Sequence, residues 1–222
     1  DIQPSLNGDV IASFVQYLSF SGNKRIKAQR IQSDGSLAWS TQTNVMTSNS
    51  LQYGNFPDFI PDGEGGGFFT WYGVNPLQCY ATNVSSNGIK WFAGEVQVAS
   101  SVGSTQRVQP VAVVDGNEYV VFFRSLDNSQ NNDGLGAQRF TANGGLMWGN
   151  AGIELKPTSS SPQYGSLATS LTNEGAVLAF TQSPSFGNDV INATSIDPDG
   201  LPTWAPNFVS IASTPSSKSR IA

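Results

Sequence analysis

The sequence predicts an all-β fold made of four repeats of one antiparallel unit, on three observations. First, one motif is written four times: Ala28–Gly35 reads AQRIQSDG, Ala81–Gly88 ATNVSSNG, Ala137–Gly144 AQRFTANG and Ala193–Gly200 ATSIDPDG. In each copy a tryptophan follows the glycine by three or four positions: Trp39, Trp91, Trp148 and Trp204. Second, the alanines are 53, 56 and 56 positions apart, and 57 on running off the end and re-entering at the start. The segment therefore holds a whole number of repeats, and periods of this size mark propellers, solenoids or arrays. Third, no stretch keeps a helical apolar period over the ~11 residues a helix assignment needs.

Copy three shows the unit best. Val108–Val114 is an apolar run, and Asp115-Gly116-Asn117 turns the chain where Gly and Asn tolerate positive φ. Tyr119–Phe123 is β-branched and aromatic, a strand composition. The loop Arg124–Gly134 leads to a third strand, Leu135–Phe140; Asn143-Gly144-Gly145 turns again, and Leu146–Leu155 is the expected fourth strand. The first turn recurs as Asn7-Gly8-Asp9, Asp62-Gly63-Glu64 and Asn173-Glu174-Gly175, the second as Asp34-Gly35, Asn87-Gly88 and Asp199-Gly200. Four strands per unit, repeated four times, predict a β-propeller of four four-stranded blades, closed or part of a larger array. The approximate blades are residues 1–48, 49–101, 102–157 and 158–213 of one domain, with 214–222 as tail or ring closure.

Composition excludes several functions. The net charge is -5, which disfavours a nucleic-acid partner. There is no His and one Cys, so zinc chemistry and a His-based triad have no ligands or base. No apolar run approaches the ~18 residues of a membrane span. Low charge with many small polar residues points to an extracytoplasmic protein, secreted or at the cell surface. The abrupt start at Asp1 is read as that of a mature or excised segment. Cys79 occupies the slot of Ile26, Leu135 and Ile191, so it reads as a buried small hydrophobe. The four repeated tryptophans read as inter-blade packing, paired with the small alanines, while Trp71 stands outside the series.

Asp62–Trp71 (D-G-x-G-G-x-x-x-x-W), Ala137–Phe140 and the run through Gly144, Trp148, Gly149, Gly152, Ile153 and Leu155 resemble a known repeat. It is similar to the propeller repeats of large secreted or surface-attached bacterial proteins, often Bacteroidetes proteins of the type nine secretion route. The resemblance implies a mostly non-catalytic module beside adhesion or sorting domains. Ser195–Trp204 also resembles the Asp box of sialidase-type propellers, with one residue too many before Thr203-Trp204. In that family the box is a fold element, and the carboxylate-binding arginine clamp finds no convincing match among Arg25, Arg30, Arg107, Arg124, Arg139 and Arg220. Arg30 and Arg139 share one repeat position and read as scaffold.

Propeller topology places the repeated turns on one face, with nine of the sixteen acids, and the variable loops on the other. Recognition is expected on variable loops: Tyr17, Phe20, Arg25, Arg124, Asp127, Asp133, Phe186 and Asp189 are the candidate ligand-binding residues. No cofactor is expected apart from a calcium candidate. Asp127, Ser129, Asn131 and Asp133 place oxygens at alternate positions before Gly134, as at the start of a calcium loop, though no bidentate Glu follows. The expected function is a non-catalytic recognition or adhesion module that binds protein or glycan. The alternatives are a structural spacer or assembly subunit, and a sialidase-type glycoside hydrolase, for which Asp127 and Asp189 are a candidate pair on one face.

Overall fold

The computed structural model describes residues 1–222 except 18–21, 49, 53, 75, 92–93, 101–104, 186, 215, 219–220 and 222. Its described residues form four antiparallel four-stranded sheets of the propeller type and no α-helix. They belong to two compact units, residues 1–98 with 141–145 and residues 99–140 with 146–222.

The first unit holds β1 (Ile2–Pro4), β2 (Val10–Tyr17), β3 (Lys24–Ile31) and β4 (Thr43–Asn44) in one sheet. Its second sheet is β5 (Phe59–Pro61), β6 (Gly67–Tyr72), β7 (Cys79–Val84) and β8 (Val96–Gln97). The second unit holds β9 (Gln106–Asp115), β10 (Glu118–Leu126), β11 (Asp133–Phe140) and β12 (Ile153–Ser159), then β13 (Gln163–Thr172), β14 (Gly175–Ser185), β15 (Asn188–Ile196) and β16 (Val209–Ala212). The repeated alanine fixes the register. Ala28, Ala81, Ala137 and Ala193 stand opposite Ser13, Thr70, Phe122 and Ala179 on the second strand of each sheet. Cys79 is fully buried on β7.

The residue after each alanine is polar and buried, and it pins the turn beyond the tryptophan. Gln29 Nε2 donates to the Trp39 carbonyl (3.2 Å), and Thr82 Oγ1 to that of Gly94 (2.7 Å). Gln138 Nε2 donates to Gly149 O (2.7 Å), and Thr194 Oγ1 to Asn207 O (2.7 Å). This pin explains why the fourth strand of copy three begins at Ile153 rather than at Leu146. Leu146 makes one isolated bridge to Phe140, after which Gly149 and Gly152 (φ +71° and +68°) turn the chain. A Cβ on Gly152 would also lie 2.4 Å from the Ala137 carbonyl oxygen.

The next residue along the third strand ties down the first turn. Arg30 pairs with Asp9 (2.8 Å), Asn83 Nδ2 donates to Asp62 (3.1 Å), and Arg139 pairs with Asp115 (2.6 Å) and Glu118 (2.5 Å). In copy four the turn offers Asn173 where the others have Asp, and the buried Ser195 Oγ is left without a hydrogen bond. Many acids of the repeated turns are thus internal ties.

Three of the repeated tryptophans bond the turn of the following copy, Trp91 through the segment 141–145 that belongs to the first unit. Trp39 Nε1 donates to Ser86 O (2.8 Å), Trp91 Nε1 to Ala142 O (2.8 Å) and Trp148 Nε1 to Pro198 O (3.0 Å). Each acceptor lies two residues before the glycine of the following copy. That glycine is the ring's seat: a Cβ on Gly88 would lie 2.8 Å from Trp39, on Gly144 2.6 Å from Trp91, and on Gly200 3.3 Å from Trp148. The small residue that admits the ring is therefore this glycine, where the sequence pairs tryptophan with alanine.

Candidate active site

The first strands of the two sheets in the first unit start alike, as Asp1-Ile2-Gln3-Pro4 and Asp58-Phe59-Ile60-Pro61. Each of these first strands is therefore preceded by an Asp, Asp1 before β1 and Asp58 before β5. Asp1 is held by backbone bonds in both directions, its N–H donating to Ser13 O (3.1 Å) and its carbonyl accepting from Ser13 N (2.9 Å). Its carboxylate accepts from Ile2 N (2.9 Å), from Gln3 Nε2 (3.0 Å) and, across to β5, from Phe59 N (3.5 Å). Asp58 is exposed and makes no hydrogen bond among the described residues.

Asp1 and Asp58 both line one cavity of about 160 Å³, together with Ser13, Phe14, Val15, Ile26, Phe56 and Pro57. The Phe56 side chain is 68% exposed at its edge, an unusual position for so large an apolar ring unless something covers it. Two carboxylates with different hydrogen-bond commitments beside an exposed aromatic face can perform acid–base chemistry on a ring-shaped polar substrate. A larger cavity of about 340 Å³ lies in the second unit, between Arg107, Phe123, Ser125, Gly136, Glu154 and Thr158. It offers one carboxylate.

The residues singled out on the variable loops have other commitments. Arg124 Nη2 pairs with Asp133 Oδ2 at 2.6 Å, and that fully buried carboxylate also accepts from Tyr164 N (2.7 Å). Asp127 closes its own loop, accepting from Asn131 N (2.8 Å), Asn132 N (3.1 Å), Asn132 Nδ2 (3.1 Å) and Ser129 Oγ (2.8 Å). The donors of Asn132 and Ser129 hold its carboxyl below the usual range. Asp189 accepts from Ser183 Oγ and from Lys218 N (2.8 Å), which lowers its carboxyl likewise and ties down residues 216–218. The Asp127 and Asp189 carboxylates thus serve two separate local structures.

Of the remaining calcium candidates, Ser129 Oγ donates to Asp127, and Asn131 is an exposed loop residue. Among the described residues no group of three His, Cys, Asp or Glu side chains is placed to hold a metal ion. Arg25 Nη1 donates to Ser48 O (3.4 Å), and Tyr17, half exposed, lies under Lys24 with 5.5 Å between the ammonium and the ring centre. Phe20 and Phe186 lie outside the described residues. Reasoning from variable loops missed Asp1 and Asp58. The signal that finds them is the shared D-Φ-x-P start of two first strands.

No family profile and no curated protein sequence matches the chain. Solved structures do. Puromycin hydrolase aligns over 97% of this chain and 32% of its own, with a TM-score of 0.57 and 12% identity. The GH43 endo-arabinanase of Bacillus licheniformis aligns over 92% and 75% (TM-score 0.47, 17% identity). An endo-1,4-β-xylanase of Bacteroides thetaiotaomicron aligns over 92% and 77% (TM-score 0.48, 9% identity). The chain spans about a third of the length of the puromycin hydrolase it matches. At these identities the likeness is one of fold: it supports the propeller part of the sequence resemblance and gives no support to secreted type nine repeats. The expectation of a non-catalytic recognition or adhesion module, and of no enzyme, is corrected by the first of these comparisons: the solved chain that shares the fold over 97% of this one is a puromycin hydrolase. The premise behind that expectation was the lack of His and of a recognisable motif, and a carboxylate-based hydrolase needs neither. Among the described residues no helix is long and apolar enough to cross a membrane.

Proposed function

We propose that this chain is a hydrolase of the glycoside-acting kind, with Asp1 and Asp58 as its pair of carboxylates and Phe56 as a stacking surface for a sugar ring. The observation that carries this reading is that Asp1 and Asp58, at the starts of two first strands, line one cavity edged by an exposed aromatic ring. Glycosidic hydrolysis needs one carboxyl group to protonate the leaving oxygen and one carboxylate to assist attack at the anomeric carbon. Asp1 already serves as an acceptor for three N–H groups, which is the ionised carboxylate's role. Asp58, which makes no hydrogen bond among the described residues, is the one left to act as the proton donor to the leaving oxygen. Water then adds across the bond, its hydroxyl going to the sugar and its proton replacing the one that Asp58 gave up.

The test is release of reducing ends from a panel of neutral plant polysaccharides, arabinan and xylan included, by the 222-residue chain. Activity on one of them, lost in Asp58→Asn and weakened through KM in Phe56→Ala, is expected. Absence of activity across the panel, with the fold intact by circular dichroism, contradicts the proposal.

A further inference from the structure

Three of the four repeated tryptophans complete a junction with the following copy; the fourth, Trp204, is half-buried, and its indole makes no hydrogen bond among the described residues. The reciprocal half also exists once without its complement. In copy one the acceptor position is Ser33, two before Gly35, in an exposed turn. Gly35 has the φ of the other seats (+87°), yet a Cβ there would meet nothing within 4 Å.

The sheet faces beside these groups repeat the pattern. On β10, Val120 and Phe122 are fully buried against β13 and β14 residues, whereas their register equivalents on β14, Val177 and Ala179, are only partly covered. Ile153 and Leu155 of β12 pack on that same cluster, whereas the equivalent Val209 and Ile211 of β16 are 39% and 62% exposed. The ring position held by Trp71, Phe123 and Phe180 is sealed in three sheets, and in the first it is Phe14, 41% exposed. The sheet β13–β16 thus offers a bare donor face, and the sheet β1–β4 a bare acceptor face.

We propose that these two faces are the halves of one junction, and that a second copy of this chain supplies what each lacks, in head-to-tail association. Trp204 Nε1 of one copy donates to the Ser33 carbonyl of the next, its ring seated on Gly35. A second copy is the occupant that the repeat itself specifies, because donor and seat are those already joined three times within the chain. The contact is heterologous, so the two faces are different surfaces, and one defect on either side blocks it.

The experiment is light scattering of the 222-residue chain over a wide concentration range, for wild type, Trp204→Ala, Gly35→Ala and an equimolar mixture of the two variants. Wild type is expected to gain mass with concentration, and each variant alone to stay monomeric. The mixture should recover dimers, because the first variant keeps the acceptor face and the second the donor face. Trp204→Phe keeps the ring and loses the N–H, and should weaken association by up to about tenfold; it substitutes for Trp204→Ala if that variant fails to fold. A wild type that stays monomeric at all concentrations overturns the proposal, and does so in favour of intramolecular closure if Trp204 fluorescence is shielded from quencher. Variants that associate like wild type, or folded variants whose mixture stays monomeric, overturn it too.

Discussion

The indole of Trp39 and the carbonyl of Ser86 meet at 2.8 Å, and the Arg30 guanidinium donates to the same oxygen at 3.1 Å. One carbonyl in the turn of the second sheet thus anchors two side chains of the first. Trp39 is 4% exposed, so its replacement removes both the bond and a large buried ring. Trp39→Ala is expected to lower the stability of the first unit by about 3–5 kcal/mol. Trp39→Phe, which keeps most of the ring and leaves Arg30 on the carbonyl, should cost about 1 kcal/mol. Chemical denaturation of the two variants checks the difference.

Glycine seats and glycine turns separate by a matched substitution. Gly144 and Gly63 both have positive φ, +87° and +83°, so alanine at either costs about 1–2 kcal/mol of backbone strain. A Cβ at Gly63 meets nothing, whereas at Gly144 it would lie 2.6 Å from Trp91. Gly144→Ala is therefore expected to destabilise by clearly more than Gly63→Ala, and equal losses in a denaturant titration would count against the ring seat.

Asp133 is fully buried and holds both Arg124 and the backbone N–H of Tyr164. Asp133→Asn removes the charge that Arg124 faces, and breaking a buried pair from one side costs about 3 kcal/mol. The loss should appear in thermal unfolding of the second unit, with hydrolytic activity per folded molecule unchanged.

Glu95 reports on acid stability of the first unit. Burial opposes its charge, but hydrogen bonds from Thr47 and Ser48, with Lys90 at 3.4 Å, outweigh it and hold the carboxyl below its ordinary value. A group lowered in the folded state contributes stability above its unfolded pKa and loses it as pH falls through the folded one. Glu95→Gln should cost about 1 kcal/mol at neutral pH and less at acidic pH. The gap between the melting temperatures of wild type and variant should close as pH drops, and a gap that widens would contradict this account.

Much of the fold was legible in the sequence because its junctions use residues that recur visibly: glycine at positive φ, tryptophan above it, and alanine on the third strand. The start of β12 was not, because Trp148, Gly149 and Gly152 form a turn held by Gln138, a tie that strand propensity does not register. The candidate site was not legible either. Variable loops drew attention to Arg124, Asp127, Asp133 and Asp189, whose charges the structure spends on local ties. Asp1 and Asp58 lie 57 positions apart in repeated scaffold, and only the packing of two neighbouring sheets brings them to one cavity.

The measurement that bears most directly on the central claim is the rate of reducing-end release by Asp58→Asn against wild type, on whichever polysaccharide the wild type degrades. Replacing a general acid by its amide removes the proton but keeps the shape, and general acid–base assistance is worth about 100-fold or more. The account predicts a loss of that size with melting temperature unchanged, since Asp58 is exposed and makes no hydrogen bond among the described residues. An Asp58→Asn protein that hydrolyses at the wild-type rate would contradict it.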